Sequence, residues 1–219
     1  VNIEKNQITI LNPATLDSVG KISISSHQEI DSILKSAKEY NEWSSLSLNK
    51  RCTIINKFRK VVLKNSDLIK KKIKDETGKK EFVVFSELLS FLDHAKTMSA
   101  IAKTALKKSK RKSGLLFKNK KAYVQYEPMG VVGIISPWNF PLGTAMKGTV
   151  EALLAGNNVI LKPSEYTPLT PEFIKKLWDK HIGYADAFQI INGAGDVGAK
   201  LVKSNSIDII SFTGSTKVG

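Results

Sequence analysis

The segment from Gly130 to Pro141 contains residue types that could stabilise a negative charge. It reads Gly-Val-Val-Gly-Ile-Ile-Ser-Pro-Trp-Asn-Phe-Pro, a β-branched run that ends in two prolines, an indole and an amide. An amide fixed at a strand end, as Asn139 would be, can donate a hydrogen bond to an oxyanion that develops during a reaction. A turn in which Asn139 bonds only the local backbone accounts for the same residues. The segment alone therefore leaves both interpretations open.

A cation and a carboxylate stand at the end of a second apolar run. Lys162 closes the run that begins at Val159, and Glu165 follows three residues later. At a strand end, an ammonium group and a carboxylate can both hydrogen-bond the hydroxyls of a ribose. The alternative is an ordinary surface ion pair, which contributes about 0 to 1 kcal/mol.

Glycines follow two further apolar runs. Gly193, Gly195 and Gly198 come after the run ending at Ile191, and the segment 214–219 reads Gly-Ser-Thr-Lys-Val-Gly. Glycines there allow the free N–H groups of a helix N-terminus to approach a ligand, often a phosphate. Two glycines five apart after a strand also fit a phosphate loop, which requires Lys and then Ser or Thr next.

The elements that position these residues alternate regularly after Gly130. Short Val- and Ile-rich runs separated by helical segments predict an α/β fold with a Rossmann-like parallel sheet covered by helices on both faces. Ligands of such sheets bind beyond the carboxyl ends of the strands, where the residues above lie. The predicted strands are Val131 to Ser136, Val159 to Lys162, Ala187 to Ile191 and Ile207 to Phe212, and the predicted helices are Gly143 to Ala155, Glu172 to His181 and Val197 to Lys203.

A helical region precedes this alternation. Residues 1–22 indicate short strands, and residues 26–107 indicate helices that begin at a capping box formed by Ser26 and Glu29 and break at Gly78. Residues 115–125 suggest a protruding strand or hairpin. Three apolar stripes are predicted as core faces: Ile30, Ile33, Leu34, Ala37 and Tyr40; Ile54, Ile55, Phe58, Val61 and Val62; and Phe82, Phe85, Leu88, Leu89, Leu92 and Ala95.

The composition excludes several classes of protein. The net charge of +14 comes almost entirely from lysines that are not interleaved with aromatic residues, so nucleic acid is not expected as a partner. The run 107–112 is interpreted as a solvated linker. No stretch approaches the ~18 to 20 apolar residues of a membrane span, and the first residues do not resemble a signal peptide, which predicts a cytoplasmic protein. The one cysteine, Cys52, is predicted to be a buried structural thiol, and no metal site is expected.

Taken together, the motifs resemble the aldehyde dehydrogenase superfamily over nearly the whole chain. The resemblance rests on segments in the family's order and spacing: Asn12-Pro13-Ala14-Thr15, Trp43-Ser44, the helix with Arg51, Glu76-Thr77-Gly78-Lys79, Glu127 to Pro141, Lys162-Pro-Ser-Glu165, and Phe212 to Gly219. The family's helix after the Asn-Phe-Pro motif often carries Lys and Pro where this chain has Gly148 and Glu151.

The resemblance implies a role for each candidate residue. Asn139 would be the oxyanion donor, Lys162 and Glu165 would hold the adenosine ribose, and Trp138 and Ser215 would contact the pyrophosphate. The remaining residues would line the adenine and ribose pocket or the loops beside it. The complete cofactor-binding set predicted in this way is Ile135, Ser136, Pro137, Trp138, Lys162, Ser164, Glu165, Gly195, Gly198, Phe212, Gly214, Ser215 and Val218.

The implied activity is oxidation of an aldehyde to a carboxylic acid with NAD(P)+ through a cysteine thioester. Glu165 would repel a 2′-phosphate, so NAD is expected to be favoured over NADP. Because the family's nucleophile and general base lie beyond the position of Gly219, residues 1–219 are expected to form an incomplete dinucleotide-binding domain without the second, catalytic domain. Alone, they should be inactive and bind NAD with a dissociation constant nearer ~1 mM than ~1 μM.

The partners implied by the resemblance are a small aldehyde in the whole enzyme and a second copy of the chain. Residues 114–127 resemble the family's bridging arm, through which subunits pair. Two alternatives remain open at this stage: a non-catalytic interaction module and a phosphate-loop nucleotide-binding protein.

Overall fold

The alternating segment after Gly130 folds into a four-stranded parallel sheet. The computed structural model describes residues 1–4 and 6–219. The strands are β6 (Val131–Ile135), β7 (Asn158–Lys162), β8 (Phe188–Ile190) and β9 (Ile209–Phe212), connected by helices α6 (Gly143–Ala155), α7 (Leu169–His181) and α8 (Gly195–Lys203). Their order in the sheet is β8-β7-β6-β9, so the first of the four in sequence lies between two later ones.

Alternate residues of these strands pack against opposite layers of helices. Ile134 and Leu161 belong to a large core that includes residues of α6 and α7. Val131 and Ile160 belong to a second core with residues of α8 and of the N-terminal helix. Since successive side chains of a strand point to opposite faces, nearly continuous Val and Ile runs result when both faces are covered. The expected Rossmann-like sheet with flanking helices is confirmed.

The N-terminal part forms a small antiparallel sheet and a helical layer. The strands are β1 (Asn2–Glu4), β2 (Gln7–Leu11) and β3 (Ser18–Ser23), and the helices are α1 (His27–Glu39), α2 (Glu42–Ser45), α3 (Leu48–Lys64), α4 (Ser66–Thr77) and α5 (Glu81–Ala105). The capping box is present, because the Glu29 amide donates to Ser26 Oγ at 3.2 Å and the Ser26 amide donates to Glu29 Oε2 at 2.7 Å. Gly78 ends α4 with a φ of 64°, a conformation that glycine adopts without strain.

Aromatic side chains join the helical layer to the sheet. Trp43 and Trp178 are fully buried with ring centroids 5.8 Å apart, and Phe58 packs edge-on against Trp178 at 5.1 Å. The indole N–H of Trp43 donates to the carbonyl oxygen of Leu153 at 2.9 Å, so the ring is buried without an unsatisfied donor. Helices α2 to α5 therefore share one hydrophobic core with the parallel sheet and its helices α6 and α7.

The predicted core face of α5 is partly wrong. Leu88, Leu92 and Ala95 are buried as expected, but Phe82 is 78% exposed, and Phe85 and Leu89 are also exposed. The buried stripe runs instead through Val84, Glu87, Leu88, Phe91, Leu92 and Ala95. The helix is apolar on more than one side, so periodicity alone did not identify the side that packs.

The protruding segment is a hairpin whose first strand begins earlier than predicted. Strands β4 (Ser109–Arg111) and β5 (Ala122–Val124) pair antiparallel, and Leu115–Phe117 forms a single 3₁₀ turn at the tip. The basic run 107–112 therefore contains a strand and is not simply a linker. Residues 114–127 include only the tip and the second strand, so the arm as predicted omitted its first strand.

The last residues form a turn where a helix start was expected. The amides of Val218 and Gly219 donate to the carbonyl oxygen of Ser215 at 3.0 and 3.1 Å, and no helix begins in residues 214–219.

Candidate functional site

Three chain segments leave the parallel sheet at the same edge. Ile135, the last residue of β6, is opposite Lys162 in β7 and opposite Phe212 in β9. The amide of Ser136 donates to the carbonyl oxygen of Lys162 at 3.2 Å, and the amide of Thr213 donates to that of Ile135 at 3.0 Å. The segments that carry Asn139, Glu165 and Ser215 therefore begin side by side at the carboxyl ends of parallel strands.

The Lys162–Glu165 pair differs from an ordinary surface ion pair. The Lys162 side chain is 5% exposed, and its Nζ lies 3.6 Å from Glu165 Oε2 and donates to the carbonyl oxygen of Pro163 at 3.1 Å. Burial lowers the pKa of Lys162, while the carboxylates of Glu165 and Asp196 oppose that shift. The surface interpretation is therefore wrong for Lys162. Burial of a charged group is unfavourable, and charged groups with a shifted pKa are typical of functional sites.

The N-terminal turn of α8 lies beside Lys162. Gly195 begins α8, and a Cβ built on it would have no heavy atom within 4 Å. A Cβ on Gly198 would lie 3.5 Å from Lys162 Cδ, which is ordinary van der Waals contact. The first N–H groups of α8, which have no partner within the helix, therefore begin on the side of the sheet that carries Lys162.

The loop after β6 presents Trp138, Asn139 and Phe140 to solvent. Trp138 is 57% exposed and Phe140 is 40% exposed. The side-chain amide of Asn139 makes no hydrogen bond with any residue that the structure describes. The backbone carbonyl oxygen of Asn139 accepts a hydrogen bond from Lys79 Nζ. The turn in which this amide bonds local backbone is not found, and Asn139 is exposed.

Two residues that were not predicted as site residues, Glu87 and Lys79, hold this loop. Glu87 is 4% exposed, and its Oε1 accepts the amides of Leu142 and Gly143, at 2.8 and 3.0 Å, where α6 begins. Its other oxygen lies 3.4 Å from Lys79 Nζ, and that ammonium group also lies 3.8 Å from the centre of the Phe140 ring. A lone carboxylate in the apolar stripe of α5 was the available signal. Glu87 and Lys79 are positioning residues for the loop that carries Asn139.

A second buried carboxylate anchors the loop after β7. Glu76 accepts hydrogen bonds from the amides of Leu169 and Thr170 at the start of α7, and from the Thr170 hydroxyl group. Burial raises the pKa of Glu76 to about 7, although these hydrogen bonds act in the opposite direction. Glu76 thereby ties α4 to the helix that follows the Lys162–Glu165 segment.

A groove of about 760 Å³ opens between α5 and α6 beside the loop after β6, which carries Asn139 and Phe140. Ile134 and Phe140 line its inner part, and Lys147, His94 and Glu151 line its outer part. Ile134 and Lys162 belong to opposite faces of the sheet, because they lie an odd number of positions apart in the β6–β7 register. The groove and the Lys162 surface thus lie on opposite faces of the sheet, and the loop with Asn139 leaves the edge that they share.

The remaining candidate residues lie around this edge. Ser136 and Ser164 are buried, Gly214 belongs to the bend after β9, and Val218 is 74% exposed. Within residues 1–4 and 6–219, no group of three or more His, Cys, Asp or Glu side chains is placed to hold a metal ion. In the same part of the chain, no helix combines the length and apolarity that crossing a membrane requires.

Comparison with known proteins identifies relatives of the entire chain. The model of the aldehyde dehydrogenase family matches residues 1–219. A lactaldehyde dehydrogenase of Methanococcus maripaludis is 30% identical over 99% of this chain and 47% of its own length. A 3-succinoylsemialdehyde-pyridine dehydrogenase of a Pseudomonas species is 30% identical over 96% of this chain and 43% of its own length.

A solved structure agrees with the fold. The crystal structure of an NAD-dependent aldehyde dehydrogenase from Sinorhizobium meliloti is 27% identical and superposes with a TM-score of 0.91, covering 97% of this chain and 43% of that one. The chain thus spans less than half the length of these relatives.

Proposed function

Because the chain belongs to the aldehyde dehydrogenase family, we propose that it binds NAD(P)+ at the Lys162 edge of its sheet. In the whole enzyme, this cofactor would serve the oxidation of an aldehyde to a carboxylic acid. The observation that carries the proposal is the buried Lys162 ammonium group, 3.6 Å from Glu165 at the carboxyl end of a parallel strand. The bound nicotinamide would supply the hydride acceptor.

Each residue of the edge has a role in this proposal. Lys162 and Glu165 bond the adenosine ribose hydroxyls, while Trp138 and Ser215 contact the pyrophosphate. Glu165 accepts hydrogen bonds from hydroxyl groups and repels a 2′-phosphate, which favours NAD over NADP. The residues proposed to line the surrounding surface are Ile135, Ser136, Pro137, Ser164, Gly195, Gly198, Phe212, Gly214 and Val218.

Asn139 is proposed as a catalytic residue that touches the reacting carbonyl group. Its amide makes no hydrogen bond within the described part of the chain, and Glu87 and Lys79 fix the loop around it. A donor held in advance costs no reorganisation when negative charge develops on the carbonyl oxygen. The neighbouring groove between α5 and α6, lined by Phe140, is proposed to hold the rest of the aldehyde.

Cys52 is unsuited to be the thiol nucleophile of this reaction. It is 1% exposed in α3, and its thiol donates to the carbonyl oxygen of Ser99 at 3.4 Å. Burial raises the pKa of Cys52, which disfavours the thiolate that a nucleophile needs. As Cys52 is the one cysteine among the 219 residues, we expect them to bind the dinucleotide without oxidising aldehydes.

The hairpin is proposed to pair with a second copy of the chain. Leu115, Leu116 and Phe117 at its tip are 76%, 88% and 60% exposed. Three adjacent large apolar side chains in water are typical of a surface that another protein covers.

Calorimetric titration of the 219-residue chain with NAD+ tests the cofactor site. We expect a dissociation constant nearer ~1 mM than ~1 μM, and about tenfold weaker binding for Lys162→Met because two charge-assisted hydrogen bonds are lost. Lys176→Met, which removes the same charge from an exposed position of α7, is the matched control and should bind as the wild type does. Equal affinities of the two variants would contradict the proposal.

A further inference from the structure

The groove between α5 and α6 is built from two helical stripes with different ends. Phe140, Thr144, Lys147 and Glu151 recur every three or four positions in and before α6, and Ser86, Ser90 and His94 recur every four positions in α5. Residues at this spacing lie on one face of a helix. Phe140 and the adjacent Asn139 are at one end of the groove, and His94 and Glu151 are at the other.

Most charged groups of the groove are already paired. Lys79 lies beside Glu87 and the Phe140 ring, and Glu87 also accepts two amides of α6. At the outer end, His94 Nε2 lies 3.1 Å from Glu151 Oε1. These contacts already engage Glu87 and Glu151, the two carboxylates that line the groove.

Lys147 is the exception within the described residues. Its Nζ donates to the neutral hydroxyl oxygen of Ser90 at 3.0 Å, and no described carboxylate lies within the 4.0 Å that defines an ion pair. Its charge is therefore not neutralised, although it lines a mostly apolar groove. An ammonium group has three N–H donors, so two remain for a ligand after the bond to Ser90.

The position of Lys147 sets the length of the ligand. Lys147 follows Gly143, the first residue of α6, by four residues, or about 6 Å along the helix axis. A ligand that spans this turn of α6 would have about two to four carbon atoms between its carbonyl group and its anion. Ile134 and Phe140 would contact the methylene groups between them.

We propose that the groove selects a short aldehyde with a carboxylate at its far end, and that Lys147 is the specificity-determining residue. The inference rests on the proposed function and adds the substrate class to it. Lys147 pairs with the distal carboxylate while the aldehyde carbon remains next to Asn139. Within the described residues, Glu151 lies beside His94 and makes no ion pair with Lys147, so the ammonium group stays available to the distal carboxylate. Neutral aldehydes of equal length lack the ion pair, and amino aldehydes are repelled.

Binding of unreactive analogues to the 219-residue chain tests the inference without requiring turnover. Succinamate carries an amide in place of the aldehyde and a carboxylate at the far end, and butyramide is its neutral counterpart. NMR shifts of the Lys147 and His94 side chains would report binding. We expect succinamate to bind about tenfold or more tightly than butyramide, and Lys147→Met to remove that difference.

Two further variants and a cofactor titration make the outcomes distinct. Lys147→Arg keeps the charge and should retain the preference, while Lys176→Met on α7 should behave as the wild type does. Equal binding of succinamate and butyramide, or equal loss in Lys147→Met and Lys176→Met, would overturn the inference. NAD+ titrated into the same samples tests the proposed function separately. Succinamate binding without NAD+ binding would contradict only the cofactor site, and the reverse result would contradict only the role of Lys147.

Discussion

Replacement of Glu87 by Ala should destabilise the protein far more than replacement of an exposed carboxylate on the same helix. Glu87 accepts the amides of Leu142 and Gly143, and Leu142 is fully buried, so water cannot replace the lost acceptor there. Each buried donor left without a partner costs about 1 to 3 kcal/mol, and removal of one member of a buried charge pair costs about 3 to 5 kcal/mol. Lys79 can move into water after the substitution, so its charge does not stay buried without a partner. We therefore expect the free energy of unfolding to fall by roughly 3 to 5 kcal/mol for Glu87→Ala.

Urea denaturation followed by tryptophan fluorescence measures this loss, because Trp43 and Trp178 are buried in the core. Glu81→Ala is the matched control: Glu81 is on the same helix, 62% of its side chain is exposed, and its two lysine contacts are at 3.7 and 3.9 Å. That variant should lose less than about 1 kcal/mol. If Glu87→Ala and Glu81→Ala lowered the free energy of unfolding equally, the proposed anchoring of the Asn139 loop by Glu87 would be wrong.

Three further predictions concern pH, a glycine and the cofactor. Burial raises the pKa of folded Glu76 to about 7 from its ordinary value of 4.5. The stability that this group contributes is therefore fully present below about pH 4.5 and is lost as the pH rises through about 7. The free energy of unfolding of the wild type minus that of Glu76→Gln should therefore fall by roughly 3 kcal/mol between about pH 4.5 and about pH 7, and an unchanged difference would contradict the burial of this carboxyl group. Gly130→Ala should lower the melting temperature and cost about 2 kcal/mol or more, since Gly130 has a φ of 126° and a Cβ would collide with the Asp208 carboxylate. Gly114→Ala, where no atom lies within 4 Å, is the control and should be neutral. In the whole enzyme, Glu165→Gln should raise the efficiency with NADP relative to NAD by about tenfold, because it removes the charge that repels a 2′-phosphate, and unchanged relative kinetics would refute that role.

The parallel sheet could be predicted because the residue types, lengths and flanking residues of its strands all indicate the same structure. The runs that became β6, β7 and β9 are β-branched, short, and bounded by glycines, prolines or polar residues, and each is followed by a helical pattern or a turn. The edge at which Asn139, Lys162 and Ser215 leave the sheet follows from parallel pairing alone. The burial of Lys162 could not be predicted, because it depends on residues of α8 that come far later in the chain.

The predictions that failed concern features that depend on tertiary contacts. Phe82, Phe85 and Leu89 have the spacing of a core face, but the opposite side of α5 packs against α3 and α6. Strand β4 lies in a run of basic residues, and a strand with water on both sides shows no alternation that a sequence could reveal. Glu87 is a lone carboxylate whose partners, Leu142 and Gly143, lie more than fifty residues away.

The measurement that most directly tests the central claim is the turnover of the whole enzyme with Asn139 replaced by Ala. The proposed role places Asn139 at the carbonyl group that reacts and leaves the ribose contacts to Lys162 and Glu165. The kcat for aldehyde oxidation should therefore fall by ~10²- to 10³-fold, while the dissociation constant for NAD+ stays within about twofold of the wild-type value. An unchanged kcat, or a loss of NAD+ affinity as large as the loss of turnover, would contradict the account.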